Sequence, residues 1–233
     1  MIGFYNYTMI LTYISLFSAM GGVIIATQGS GHPYIGMFFL LISGLCDAFD
    51  GRVARTKKNR TDLEKRFGVQ VDSLADLVAF GVLPGCIGNA MLRTSEKFPD
   101  RPFFLDSPGG LAWYQVIFGA ITLFYVTAAM IRLAYFNATE DERKNEALEK
   151  GHMEFTGLPV TSAALVFPFV LLLHFALRFD FTIVYFCIML LMGILFISRF
   201  KMKKPSAKAV WIMVGIGLAE FVILVLSFLH YKE

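Results

Sequence analysis

Charge is scarce in this chain. Asp, Glu, Lys and Arg make up 17% of its 233 residues, against about 25% in an average soluble domain, which excludes a protein built mainly of solvated surface. Cysteine is scarcer still. Cys46, Cys86 and Cys187 are the only three; they stand far apart in apolar stretches, fit no thiolate metal spacing, and are expected to be free, buried and inert. The start, Met1-Ile2-Gly3-Phe4, lacks the basic region of a secretory signal, so no cleaved leader is expected. A net charge of +3 says little by itself.

Hydrocarbon is what the chain has in quantity. It is 56% hydrophobic with 24 Phe, and its mean hydropathy is +0.61. Apolar runs of about twenty residues, the length that crosses a bilayer, recur along it. The fold class expected is all-α, a polytopic transmembrane bundle, with helices near 5–27, 33–55, 68–92, 111–136, 158–178, 180–199 and 208–230. Gln28-Gly29-Ser30-Gly31-His32-Pro33 and the Pro/Gly-rich stretch 98–110 read as breaks. The polar segment 138–155 reads as a surface helix. Lys and Arg concentrate in loops 56–67, 138–156 and 200–208, which the positive-inside rule assigns to the cytoplasm together with the N-terminus.

Against this background four aspartates stand out. Asp47 and Asp50 close the second apolar stretch, and Asp72 and Asp76 open the third. A carboxylate within a bilayer costs at least ~2.5–3.5 kcal/mol, so such acids are functional candidates. Residues three or four apart share a helix face, which makes two pairs, each flanked by small residues: Gly44, Gly51 and Ala54 for one, Gly68, Ala75 and Ala79 for the other. Small residues let helices approach each other and let a ligand reach backbone. Four facing carboxylates repel unless a hard divalent cation joins them, and oxygen ligands suit Mg²⁺, Mn²⁺ or Ca²⁺. Such a site suits phosphoryl transfer, with Arg55 adding a phosphate contact. Asp76, farthest from the loop, is the candidate general base. The plainer alternative is a set of salt bridges to Arg52, Arg55 and Arg66. A divalent-cation transporter and an intramembrane prenyltransferase also place acids in membrane helices, but neither accounts for Gly51-x-x-Ala54-Arg55 beside a basic loop.

The pattern Asp47-x-x-Asp50-Gly51-x-x-Ala54-Arg55 … Gly68-x-x-x-Asp72-x-x-x-Asp76 resembles the signature of the CDP-alcohol phosphatidyltransferase family. The spacer Thr56–Phe67 is longer than is usual there, and Thr61-x-x-Glu64 reads as a capping box that absorbs the excess in an added turn. The resemblance implies a homodimer of six-helix cores (residues 1–204 here, with 205–233 an additional C-terminal span), two divalent ions, Mg²⁺ or Mn²⁺, and a CDP-linked donor. It implies Asp47, Asp50 and Asp72 as metal ligands, with Asp76 a further ligand or the base. It also implies that Asp47, Gly51, Ala54, Arg55, Gly68 and Asp72 line the CDP site.

Two further stretches narrow the acceptor. Residues Phe67–Val82, and Arg132-Leu133-Ala134-Tyr135-Phe136-Asn137 with Phe155-Thr156-Gly157-Leu158-Pro159, resemble the runs of the family's serine-using branch, with Ala79, Tyr135 and Thr161 as departures. This implies CDP-diacylglycerol and L-serine as substrates, with the membrane lipid as surroundings and no nucleic acid. Glycerol 3-phosphate or an inositol phosphate is the alternative acceptor. Arg132 is a candidate for the serine carboxylate or a phosphate, with an interfacial snorkelling role as its alternative. Asn137, Glu154 and Thr156 are further candidates, although Asn137 and Thr156 fit helix caps equally well. Cytoplasmic-membrane location with the site facing the cytoplasm is expected. Glu220 is expected to pair within the bundle, and His174 to pack.

Overall fold

A computed structural model describes residues 3–28, 32–95, 97–98, 113–140, 142, 154–177, 179–203 and 207–230, with backbone alone for 154–156, 202–203, 207–210 and 227–230. The helices are α1 (Ile10–Thr27, after a 3-10 turn at Tyr7–Met9), α2 (Pro33–Thr56), α3 (Asp62–Asp76), α4 (Leu83–Thr94), α5 (Trp113–Ala138), α6 (Ala163–Leu177), α7 (Thr182–Ile197) and α8 (Ala207–His230). A π-helical segment, Leu77–Val82, joins α3 to α4 in one rod. Among the described residues, five helical stretches are long and apolar enough to cross a membrane, and α7 and the Trp211–Leu226 part of α8 are shorter apolar helices. The all-α bundle expected from hydropathy is what forms, and the chain is an integral membrane protein. Most of 138–155, the expected surface helix, lies outside the described residues.

Local chemistry sets the helix ends. Pro33 occupies the first turn of α2, where a missing N–H costs nothing. The third rod begins at Asp62, six residues before the expected Gly68. The reason is the capping box: Thr61 Oγ1 accepts from Glu64 N (3.2 Å) while Glu64 Oε2 accepts from Thr61 N (2.9 Å). Glu64 also receives Asn6 Nδ2 (2.8 Å) and Lys57 Nζ (3.0 Å), which pins the spacer to the N-terminal segment.

Helix pairing uses polar ties, since hydrocarbon offers no hydrophobic drive between helices inside a bilayer. Ser15 Oγ donates to the Ser43 carbonyl (3.3 Å) and Ser43 Oγ to the Ser15 carbonyl (3.0 Å), while Ser18 Oγ donates to the Phe39 carbonyl (2.9 Å). These three bonds fasten α1 along α2. Pro84 has no N–H to give to the Phe80 carbonyl four residues earlier, and Tyr125 OH of α5 supplies the donor instead (2.6 Å). Leaving that buried carbonyl bare would cost about 1–3 kcal/mol. Tyr185 OH of α7 donates likewise to the Pro84 carbonyl (2.8 Å). The two tyrosines, both fully buried, thus lock α5 and α7 onto the rod at its π-helical segment, amid Phe80, Phe167, Phe186 and Phe196.

At the end opposite the acid pairs, the Arg93 guanidinium donates to the carbonyls of Ala26, Thr27 and Gln28, capping α1. Asp180 accepts from Ser95 Oγ and Thr182 N between α6 and α7. Burial opposes its charge, but these bonds and the Lys97 ammonium outweigh it and hold its carboxyl below the usual range. His174 packs there as expected, its Nδ1 accepting from Phe181 N (3.1 Å).

Three expectations need amendment. A short antiparallel ladder, Glu154–Thr156 with Lys201–Lys203, joins the approach to α6 with the exit of α7. It closes because Gly157 adopts φ 75°, a left-handed conformation that side chains disfavour, and donates its N–H to the Phe200 carbonyl (2.7 Å). Cys187 is exposed on α7, whereas Cys46 and Cys86 are half-buried. Glu220 is buried in α8, but its Oε2 has no hydrogen-bond partner among the described residues.

Candidate active site

The site forms where α1, α2 and α3 meet. Asp47 and Asp50 lie one turn apart in the last half of α2, and Asp72 comes from α3. One carboxylate oxygen from each of the three lies within 4.8 Å of the others. Asp76, one turn deeper on α3, is outside that group but within electrostatic reach of Asp47, Asp72 and Asp50. Asp50 and Asp76 are each 8% exposed.

The donors around these acids are few. Thr12 Oγ1 of α1, itself buried, donates to Asp50 Oδ2 (3.1 Å). The ion pairs among the described residues are Lys57–Glu64 and Lys65–Asp62, so none engages the four aspartates. Arg52, a partner in the salt-bridge alternative, instead stacks its guanidinium over Trp211 of α8 (4.8 Å) and Phe49 (5.7 Å). Arg55 is exposed, and its Nη1 occupies the space over Gly51, 3.5 Å from where a Cβ would stand. Three converging carboxylates, eased at Asp50 alone by the Thr12 hydroxyl, the Gly51 N–H and the nearby Arg55 charge, are a poor structural device and a good cation site, because a hard ion offsets their mutual repulsion. The residues fit a divalent metal.

Thr12 and Arg60 are the parts that reading the motif alone misses. Arg60 Nη1 donates to the Ala54 carbonyl (3.3 Å) and its Nη2 to the Glu64 carbonyl (3.4 Å). A Cβ on Gly68 would come within 2.7 Å of that same Nη2 and 2.9 Å of Met9 Cε. Arg60 therefore ties the end of α2 to the first turn of α3, and Gly68 is the residue that makes room for it.

The remaining candidates are distributed. Arg132 is 6% exposed, with Nε on the Leu158 carbonyl (3.1 Å) and its guanidinium over Phe136 (5.5 Å). Burial rules out the snorkelling alternative. Asn137 Nδ2 donates to Ser73 Oγ (2.9 Å), tying α5 to α3 directly beside Asp72. Glu154 and Thr156 fall in the ladder, and their side chains lie outside the described residues. Asp47 also borders a cavity of about 450 Å³ between α2, residues 158–165 and α8.

The model of the CDP-alcohol phosphatidyltransferase family matches residues 5–198, so the chain belongs to that family. Its curated relatives are more particular. A CDP-diacylglycerol–serine O-phosphatidyltransferase of Saccharomyces cerevisiae is 31% identical over 176 residues, 74% of this chain and 55% of the relative. A protein of the same name from Mycobacterium bovis is 28% identical over 205 residues, 86% of this chain and 62% of the relative. An archaetidylserine synthase of Methanothermobacter thermautotrophicus is 29% identical over 154 residues, 65% of this chain and 52% of the relative. The chain thus spans little more than half the length of the first relatives it matches. No solved structure matches it.

Proposed function

We propose that the chain is a phosphatidylserine synthase, transferring the phosphatidyl group of CDP-diacylglycerol to the hydroxyl of L-serine and releasing CMP. The observation that carries this reading is the convergence of Asp47, Asp50 and Asp72, with Asp76 one turn deeper, in a chain of this family. The serine named by its relatives supports the acceptor. Asp47, Asp50 and Asp72 hold two divalent ions, Mg²⁺ or Mn²⁺. When bound, these ions neutralise the diphosphate and the charge that develops on the departing CMP. Arg55 reaches the diphosphate from above Gly51, and Ala54 and Gly68 complete the CDP floor. Asp76 takes the proton as the serine oxygen bonds to the lipid-linked phosphorus and the phosphorus–oxygen bond to CMP breaks. Arg132 is the residue assigned to the serine carboxylate, with Asn137, Glu154 and Thr156 as the further candidates for contacts to serine. The basic loops at this end support a site facing the cytoplasm, and the family resemblance supports a homodimer in the cytoplasmic membrane.

The test is direct. Purified protein in detergent, given CDP-diacylglycerol, Mn²⁺ or Mg²⁺ and labelled serine, should release CMP and form a labelled lipid. Turnover with glycerol 3-phosphate but not serine would overturn the acceptor, and Mn²⁺ flux into proteoliposomes without CMP release would overturn the enzyme.

Thr12 supplies a prediction of its own. It touches no substrate in this reading but orients Asp50, and partners of metal ligands typically contribute ~10–100-fold in metal affinity or activity. Thr12→Val should raise the metal concentration for half-maximal turnover by about that factor, with Thr12→Ser close to wild type. Equal behaviour of the two variants in a metal titration would remove Thr12 from the site.

A further inference from the structure

Helix α8 lies beyond the residues the family model covers, yet it is built against the site. Near its start, Trp211 takes the Arg52 guanidinium on its face (4.8 Å) and meets the Phe49 ring edge-on (6.1 Å). Farther along, Phe221 stacks on Phe38 of α2 with ring centroids 4.8 Å apart. Between these two clasps α8 stands off from α2, and the gap is the cavity of about 450 Å³, within the ~300–1,000 Å³ range of ligand pockets. Leu41 and Leu45 of α2, Leu165 of α6 and Val214, Gly217 and Phe221 of α8 are among its walls.

Three of its lining residues are polar: Asp47, Thr161 and Ser162. Ser162 Oγ is already committed to the Pro159 carbonyl (2.7 Å). A polar metabolite would lose its hydrogen bonds to water here and find few replacements. A hydrocarbon chain would not. The one carboxylate on the wall, Asp47, is also one of the three converging acids, so the apolar cavity borders the acid cluster where the proposed reaction places a diphosphate.

We propose that this cavity holds one hydrocarbon chain of the lipid donor whose diphosphate sits at the aspartate cluster, with α8 as its outer wall and Gly217 setting its bore. The proposal rests on the reading of that donor as a CDP-linked lipid. It gives the C-terminal helix a role in selecting the donor, one that the family motif does not contain. A Cβ on Gly217 would meet Leu165 Cδ2 at 3.4 Å, an ordinary contact, so a larger side chain is accommodated by filling the cavity.

The experiment compares Gly217→Leu with wild type on CDP-dioleoylglycerol and CDP-dihexanoylglycerol. The expected result is a fall of about tenfold or more in kcat/KM for the long-chain donor relative to the short-chain one, the scale by which apolar pockets discriminate. An unchanged ratio overturns the proposal. A second measurement uses the wild-type protein and needs no turnover. CDP-diacylglycerol with a diazirine near the end of one chain should label residues 41–45 or 213–221, and excess CDP-dioleoylglycerol, but not phosphatidylcholine, should abolish the labelling. Labelling that phosphatidylcholine competes away would show that bulk membrane lipid fills the cavity, which also overturns it. Photolabelling at these residues without CMP release from any acceptor would leave the chain site standing and overturn the proposed reaction instead.

Discussion

Replacing Asp76 with Asn should lower kcat by about 10²–10⁴-fold, the range contributed by a positioned general base, while the affinity for the CDP-linked donor stays within a fewfold of wild type. The expectation comes from position. Asp47, Asp50 and Asp72 bring their oxygens within 4.8 Å of one another, and Asp76 stands apart from that group, one turn deeper and 8% exposed. Three acids thus make up the candidate cation cluster, and the fourth lies near them outside it. Asn keeps the shape and one acceptor but cannot take a proton at neutral pH. The measurement is a kcat and KM pair with serine varied, alongside equilibrium binding of the CDP-lipid. Wild-type turnover by the variant would refute the base assignment. Loss of donor binding together with turnover would make Asp76 a metal ligand.

Removing one of the three converging acids should have the other large effect, and a distinctive one on stability. Asp72→Asn is expected to abolish turnover at every Mg²⁺ or Mn²⁺ concentration, because a hard-cation site built from three carboxylates loses both a ligand and a charge. In metal-free buffer, however, the same change relieves repulsion among three converging acids that no ion pair among the described residues engages. The variant should therefore melt at or above the temperature of metal-free wild type. A ligand that binds only the folded state at about 100 times its Kd adds roughly 2.7 kcal/mol. Wild type should gain on that scale when Mn²⁺ is added, and the variant should not. Thermal unfolding in detergent with and without chelator reads both signs. A variant less stable than wild type without metal, or one still stabilised by Mn²⁺, would contradict a metal role for this carboxylate.

Much of the site was legible because its residues lie on helices. Spacings of three and four put Asp47 with Asp50 and Asp72 with Asp76 on common faces regardless of what the helices pack against. The capping box was equally readable, since Thr61 and Glu64 act on each other locally. Thr12 lies outside the motif, although its trace is present: Thr12, Ser15 and Ser18, with Thr8 in the preceding 3-10 turn, form a polar stripe along one side of an otherwise apolar helix. Three of these four are tied to α2, Thr12 through Asp50 and the two serines through backbone carbonyls. Arg60 looked like one more basic loop residue, because its bonds run to carbonyls, which carry no sequence signal.

The sequence by itself determined that the chain is a bundle of apolar helices, where most of them begin and end, and which four acids share two faces. Those are consequences of hydropathy, capping and helical period, all of which act over a few residues. Only the tertiary structure decided that Asp76 stands apart from the other three, that Arg132 is buried against Leu158, and that α8 closes a cavity beside Asp47. Each of these depends on how far one helix is displaced along another. That displacement is set by contacts such as Tyr125 on the Phe80 carbonyl and Trp211 on Arg52, between residues that no local rule pairs.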